Sequence, residues 1–310
     1  MRASDGKQRL TIMAYNRREF LKTTAAITAG VSLSGLPLIS CADPAGKKKY
    51  GVALYTLRND LGKDLAGTLQ YVSKAGYSQV ELFAFDGKTY FGKAPKEFKT
   101  LLDDSKLTAP SAHFNLPGFL YEGKLYVWKS AVEAAVIMEN EYMVIPYIES
   151  KYRTPEFYKS MVDQIQKAAE LTKAAGMKLA YHNHEFEFEK GPDGKTYFEM
   201  LLSQTDPALV DFEMDLYWMT YANQKPADWF AKYPGRFSMF HLKDLTVAAD
   251  GKKEFAPVGD GIVDFTSAFA QSKLAGLKYG FVEQDSCKIT PEQCIKKSID
   301  YLKKKNWGNS

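Results

Sequence analysis

Short apolar runs alternate with longer amphipathic stretches from Tyr50 to Lys304. Strand length and apolar content pick out Tyr50–Thr56, Gln79–Phe83, Ala109–Phe114, Tyr142–Ile148, Leu179–Tyr181, Leu209–Leu216, Phe237–Leu242 and Tyr279–Val282. Between them, helical spacing covers Asp64–Ala75, Pro95–Ser105, Lys124–Asn140, Pro155–Ala175, Tyr197–Ser203, Pro226–Tyr233 and Asp264–Leu274. A capping box, Thr290-Pro-Glu-Gln293, opens a last helix to Lys304. Gly76 and Gly176 stop two of these helices, and Thr154 with Pro155 starts another. Strict strand–helix alternation implies parallel strands joined by crossovers. Eight such units predict a single-domain α/β fold, a (β/α)8 TIM barrel over residues 50–310. An open doubly wound sheet is the alternative, but no Gly-x-Gly-x-x-Gly follows the first strand.

The polar residues that matter lie where the apolar runs stop. The chain has four histidines. His113, His182 and His241 each end an apolar run, and His184 follows two residues after His182. Residues i and i+2 share one side of a strand, so His182 and His184 should project together. In a barrel, the carboxyl ends of the strands form the active-site mouth. His182, Asp215, His241 and Glu283 are therefore expected to hold one divalent metal there. Mixed imidazole and carboxylate ligands suit Mn, Co, Zn or Fe better than calcium. His184 or Glu185 is the expected general base. Arg58, Glu81, His113, Lys243 and Asp244 are candidates for binding polar groups of a ligand at this mouth, and Trp218, Tyr217, Tyr147 and Phe114 for stacking on a ligand ring. Each of these also has a plain structural reading as a mouth ion pair or a core aromatic.

Charge and composition narrow the partners. The net charge of +4 is modest and no basic stripe carries interleaved aromatics, so nucleic acid is not implied. No arginine cluster or glycine-rich turn offers a phosphate site, which favours a ligand without phosphate. Three cysteines, Cys41, Cys287 and Cys294, make no disulfide framework. A homo-oligomer is compatible with this composition.

The amino terminus reads as an address. Asn16-Arg17-Arg18-Glu19-Phe20-Leu21-Lys22 precedes a mildly apolar run to Ile39 and resembles a twin-arginine export signal. Leu38-Ile39-Ser40-Cys41 resembles a bacterial lipobox, which makes Cys41 the lipidated residue. Residues 1–49 are expected to lie outside the fold, and the mature protein to be exported to the periplasm or cell envelope. The membrane is then met only through the lipid anchor.

Several motifs together resemble the xylose-isomerase-like barrel superfamily of sugar isomerases and epimerases. They are Tyr55-Thr-Leu-Arg58, Val80-Glu-Leu82, Ser111-Ala-His113, Tyr181-His-Asn-His184, Met214-Asp215, Phe240-His-Leu-Lys-Asp244, Val258-Gly-Asp-Gly-Ile-Val-Asp264 and Val282-Glu283. The superfamily also contains inosose dehydratases, 3-keto-glycoside lyases and type 2 apurinic endonucleases. In it, strands five to eight supply Glu, Asp, His and Glu to one metal. Asp215, His241 and Glu283 match the last three positions. His182 stands where many epimerases have Glu, with Glu185 as the alternative ligand. The resemblance implies a metal-dependent isomerase or epimerase acting on a keto-sugar through an enediolate. The same chemistry ending in loss of a β-substituent gives the alternative, a 3-keto-glycoside 1,2-lyase or hydratase. A sugar-binding lipoprotein without catalysis is the reading from another class.

Overall fold

A computed structural model of the chain describes residues 48–309. The expected export signal and Cys41 lie outside the described residues. Eight parallel strands close into a barrel: β1 (Gly51–Ala53), β2 (Gln79–Leu82), β3 (Thr108–His113), β4 (Tyr142–Ile145), β5 (Lys178–His182), β6 (Val210–Asp215), β7 (Met239–Leu242) and β10 (Tyr279–Val282). Neighbouring strands pair in chain order, and β1 pairs with both β2 and β10 to shut the ring. The fold is the (β/α)8 barrel that the alternation predicts.

The helices begin and end for local reasons. The Asp64 carboxylate accepts from the Gly67 N–H, and Gly76 at φ 108° stops the helix Leu65–Ala75. Thr154 caps the helix Pro155–Ala174 through the Phe157 N–H. The Thr290–Gln293 capping box opens the helix Pro291–Lys305. Between barrel and helices lies one large apolar core, with Val80, Leu82, Leu179, Phe212 and Phe240 on the outward faces of the strands. Inside the barrel a smaller apolar plug of Ala53, Tyr142, Val144, Ala180, Met239 and Phe281 fills the lower half. Above this plug the inward residues become polar.

An antiparallel hairpin, β8 (Asp244–Val247) and β9 (Lys253–Ala256), interrupts the seventh crossover. The sequence reading had no element there, because four-residue strands with no apolar period give no signal. Asp244 organises the return from this hairpin. Its Oδ1 accepts from the Leu245 and Val263 N–H groups at 2.8 and 3.1 Å. Its Oδ2 accepts from Gly259 and Gly261, both at 2.9 Å. A Cβ on Gly261 would fall 2.3 Å from Asp244 Oδ1, so only glycine lets the loop close on the carboxylate. The expected ligand-binding role of Asp244 is corrected: both oxygens are consumed by backbone donors.

Asp244→Ala should leave four backbone N–H groups, one buried and three part-buried, without their acceptor. We expect about 3 kcal/mol loss of stability in urea melts, since bonds to a charged acceptor contribute about 1.5–3 kcal/mol each and neighbouring water can replace some of them. A variant within 0.5 kcal/mol of wild type, on the scale of ordinary surface changes, would contradict the cradle.

Candidate metal centre and catalytic cavity

Two levels of inward side chains build the site, because successive inward residues lie two apart on a strand. The lower level holds Glu81, His113, His182, Glu213, His241 and Glu283. The level above holds Tyr55, Phe83, Asn115, Pro146 with Tyr147, His184, Asp215, Lys243 and Asp285. Most of these line a cavity of about 520 Å³ at the carboxyl ends of the strands, which Glu81, Glu213 and Asp215 support from beneath or beside it.

In the lower level three imidazoles converge on one carboxylate oxygen. Glu213 Oε2 lies 2.7 Å from His113 Nε2, 3.0 Å from His182 Nδ1 and 3.2 Å from His241 Nε2. Glu81 Oε2 lies 2.5 Å from His241 Nε2 and 3.1 Å from His113 Nε2, while Ser111 donates to Glu81 Oε1 at 2.7 Å. Burial alone would lower the His113 pKa, but Glu81 and Glu213 outweigh it and raise it to about 10. Burial, joined by the neighbouring imidazoles and Lys243, holds His182 well below its ordinary value.

These contacts decide which nitrogen of each ring faces upward. His182 gives Nδ1–H to Glu213, so its Nε2 lone pair points at Asp215 Oδ2, 3.6 Å away. His241 gives Nε2–H to Glu81, so its Nδ1 faces Glu283 Oε2 at 2.9 Å. Glu213 Oε1 is buried with no hydrogen-bond donor, and Asp215 Oδ2 meets only the Lys243 ammonium, at 3.0 Å. Burial alone would lower the His241 pKa, but Glu213, Glu283 and Glu81 hold it well above its ordinary value. Donor atoms of His182, Asp215, His241 and Glu283 thus face one another in a buried space where Lys243 and the proton on His241 balance the carboxylates, a role that a divalent cation would take over. Asp215, His241 and Glu283 bring ligand atoms within 4.8 Å of each other, and a second such set comprises His113, His182, Glu213 and His241. The four predicted ligands therefore fall across two overlapping sets. The donor chemistry fits a divalent metal held from above by the first set and His182. Glu81 and Glu213 then act as the carboxylate partners that metal-binding imidazoles usually have.

Lys243 is the one ammonium in this constellation. It is buried, with Nζ 2.7 Å from Glu283 Oε2, 3.0 Å from Asp215 Oδ2 and 3.2 Å from each Asp285 oxygen. Burial pushes the Asp215 pKa up to about 6 against the pull of Lys243 and His241. His184 lies half-buried on the cavity wall. Its ring stacks on Phe186 at 5.4 Å and leans on Trp218 at 5.4 Å, and its Nδ1 has no partner. Burial first, then Lys243, holds its pKa well below the usual imidazole value, so it is neutral at pH 7. Arg153 lies 3.3 Å from the Phe186 ring centre and donates to the Tyr147 hydroxyl at 2.7 Å, clamping this wall.

Other sequence candidates are placed differently. Glu185 begins the turn Phe186–Phe188 and lies outside the cavity lining; the buried acid there is Glu187, which accepts from the Tyr181 hydroxyl and the His184 N–H. Arg58 is spent on the backbone carbonyls of Asp285 and Tyr55. Glu81 is bound up with histidines beneath the cavity, so sugar hydroxyls do not reach it. Trp218 flanks His184 and Lys243 without lining the cavity. Of the aromatics, Tyr147 lines the cavity, whereas Phe114 packs on Phe85 and Trp128, and Tyr217 on Phe255. Glu213 and Asp285 were missed. Both carried the signal already used for His184: each is two residues from a chosen ligand, on the same side of the strand.

If Glu213 orients His182, Glu213→Gln should weaken metal binding by about 10- to 100-fold, the usual cost of losing such a partner. Titration of chelator-treated protein with Co²⁺, followed by visible absorption, measures it. An unchanged affinity would remove Glu213 from the metal's support.

The geometry agrees with what the chain is similar to. An inosose dehydratase from Clostridium beijerinckii is 27% identical over 297 residues, covering 84% of this chain and 97% of that protein. A crystal structure described as a sugar phosphate isomerase/epimerase from Parabacteroides distasonis superposes with a TM-score of 0.74 at 27% identity, covering 88% of this chain and all of that one. The IOLI protein with a bound zinc atom shares the fold at a TM-score of 0.64 and 15% identity, covering 82% and 97% of the two chains. Residues 69–305 match the family model described as the xylose isomerase-like TIM barrel, and the chain belongs to that family.

Proposed function

We propose that this protein is a divalent-metal-dependent lyase that removes the proton beside a ketone in a non-phosphorylated sugar and expels the β-substituent. The observation that carries this reading is one neutral base, His184, and one ammonium, Lys243, on the wall of the same cavity, both against Trp218. A single base paired with a single acid suits elimination. Epimerisation through two bases asks for a second free base, and Glu283 is tied to His241 and Lys243. The name of the inosose dehydratase relatives supports the same direction. Isomerisation or epimerisation, the first expectation from sequence, shares the proton abstraction and differs only in the fate of the electron pair; it is the second reading, supported by the isomerase/epimerase name of the structural relative.

His182, Asp215, His241 and Glu283 would hold the metal. When bound, such a metal polarises a carbonyl oxygen and acidifies the neighbouring C–H. His184 takes that proton at Nε2, since its unpartnered Nδ1 is buried behind the cavity wall. Lys243 steadies negative charge as it grows on the substrate oxygens. Tyr147, Phe186 and Trp218 keep water from the base and so keep it neutral. Among the described cavity residues the cations are engaged, Lys243 by three carboxylates, which supports a substrate without phosphate.

His184→Ala should lower kcat by about 10²- to 10⁴-fold, the usual contribution of a general base, with metal content near wild type. Deuterium uptake from D₂O beside the ketone should fall in parallel. In the wild type, the acid limb of kcat/KM should lie below pH 6.5, because His184 loses its proton well below the usual value and is already free to act there. Loss of metal in the variant, or an acid limb above pH 6.5, would take the role away from His184.

We further propose, from the sequence of residues 16–41, that the protein is exported and lipid-anchored at Cys41. Cys41→Ala should release it from membranes on fractionation, and persistent membrane association would remove the anchor.

A further inference from the structure

The upper ring of the cavity is divided in two by strand order. The barrel runs β1, β10, β7, β6, β5, β4, β3, β2 and back to β1. His184, Asp215, Lys243 and Asp285 come from the neighbouring strands β5, β6, β7 and β10. Tyr55, Phe83, Asn115 and Pro146 with Tyr147 come from the other four, which are also neighbours. At this upper level the titratable groups thus stand on one half, and the facing half carries the rings of Tyr55, Phe83 and Tyr147 with Asn115 and Pro146, while His113 of β3 lines the cavity one level below. Tyr55 meets Phe83 edge-on at 5.3 Å, and Phe83 meets Phe91 at 5.2 Å. Tyr55 is 39% exposed and Tyr147 37%, and each ring carries a guanidinium over one face, Arg58 at 4.4 Å and Arg153 at 5.1 Å. Between Phe83 and Phe85, Ala84 also lines the cavity and holds a left-handed backbone at φ 63°. A non-glycine residue in that region costs about 1–3 kcal/mol, and such strain gathers at ligand-binding segments. Here it turns the chain so that both phenylalanines flank the cavity.

Resting on the elimination reading, we propose that the aromatic half is a subsite for an aryl leaving group, and that the substrates are aryl glycosides oxidised to a ketone two carbons from the glycosidic centre. Two observations favour an aryl group. A cavity of about 520 Å³ falls within the usual range for drug-sized ligands of about 300–1,000 Å³ and has room beyond one pyranose ring. At the upper level the aromatic half presents no carboxyl, imidazole or ammonium group among the described residues. A leaving group seated there has no acid beside it except His113 one level below, whose Nε2–H is held by Glu213 and Glu81 at 2.7 and 3.1 Å. A phenol, whose pKa is about 10, leaves as its anion, whereas an alkoxide does not. The step balances without an oxidant. His184 takes the proton from the carbon between the ketone and the glycosidic centre. The freed pair forms the new C=C bond, the C–O bond to the aryl group breaks, and the phenolate leaves with its electrons and is protonated by water.

Isothermal titration of the metal-loaded full-length protein tests the subsite without turnover, because phenyl β-D-glucoside carries no ketone and cannot eliminate. Phenyl glucoside should bind about tenfold or more tighter than methyl glucoside, and tighter than cellobiose. Tyr55→Ala and Phe83→Ala should each remove most of that advantage and leave methyl glucoside unchanged, while Phe83→Tyr retains it. Equal affinity for phenyl and methyl glucosides, no binding of phenyl glucoside at millimolar concentration, or a parallel loss of both ligands in Phe83→Ala would overturn the proposal. Tighter binding of cellobiose would overturn it in favour of a second sugar ring. Tyr55, partly exposed, keeps the test open if Phe83→Ala fails to fold. Deuterium exchange with an unsubstituted keto-sugar separates this proposal from the reading beneath it. Exchange without aryl preference sinks only the subsite, and aryl preference without exchange on any keto-sugar sinks only the elimination.

Discussion

Negative charge buried above the apolar plug is the constraint on which the site depends. Glu81, Glu213, Asp215 and Glu283 are each at most 4% exposed, and Asp285 lies beside them. One ammonium, Lys243, stands among them. Ionised carboxylates in a medium of low dielectric cost several kcal/mol each unless matched. The barrel meets part of this cost with imidazolium, which explains why His113 stays protonated well past neutrality. It leaves the rest to be met at the point where His182, Asp215, His241 and Glu283 bring their donor atoms together. Metal binding and the folding of this core are then two faces of one electrostatic balance.

Strand parity turns that balance into a layered device. Moving two residues along each strand climbs one level: from Glu81 to Phe83, His182 to His184, Glu213 to Asp215, His241 to Lys243 and Glu283 to Asp285. The lower level together with Asp215 supplies the donor atoms that would hold a metal, and the upper level lines most of the cavity. A shift of one residue in any strand would send these groups outward into the apolar core, so the register of the barrel is also the register of the chemistry. At the upper level the titratable groups His184, Asp215, Lys243 and Asp285 come from four neighbouring strands, and Tyr55, Phe83 and Tyr147 from the others.

Most of the barrel was legible in the chain because every strand is a short apolar run and the helices carry clear caps at Asp64, Thr154 and Thr290. The carboxyl ends of the strands were legible too, since histidine is rare here and stops the runs. What did not show was the pairing of polar groups across strands. Glu213 and Asp285 were passed over although their spacing placed them inward. Asp244 read as a binding residue because three of its four backbone donors come from a loop fifteen and more residues away, and no local pattern foretells that. Glu185 reads as a candidate from its place beside His184, yet the turn Phe186–Phe188 buries Glu187 against the Tyr181 hydroxyl and leaves Glu185 off the cavity lining.

The account rests on the metal lying above the histidines with Glu81 and Glu213 beneath them. Anomalous diffraction from crystals grown with Mn²⁺ or Co²⁺ locates the ion directly. The expected peak lies among His182 Nε2, His241 Nδ1, Asp215 and Glu283, with Lys243 turned toward Asp285 and the inner nitrogens still on Glu213 and Glu81. A peak among His113, Glu213 and Glu81, or none at a metal concentration that supports turnover, would contradict it.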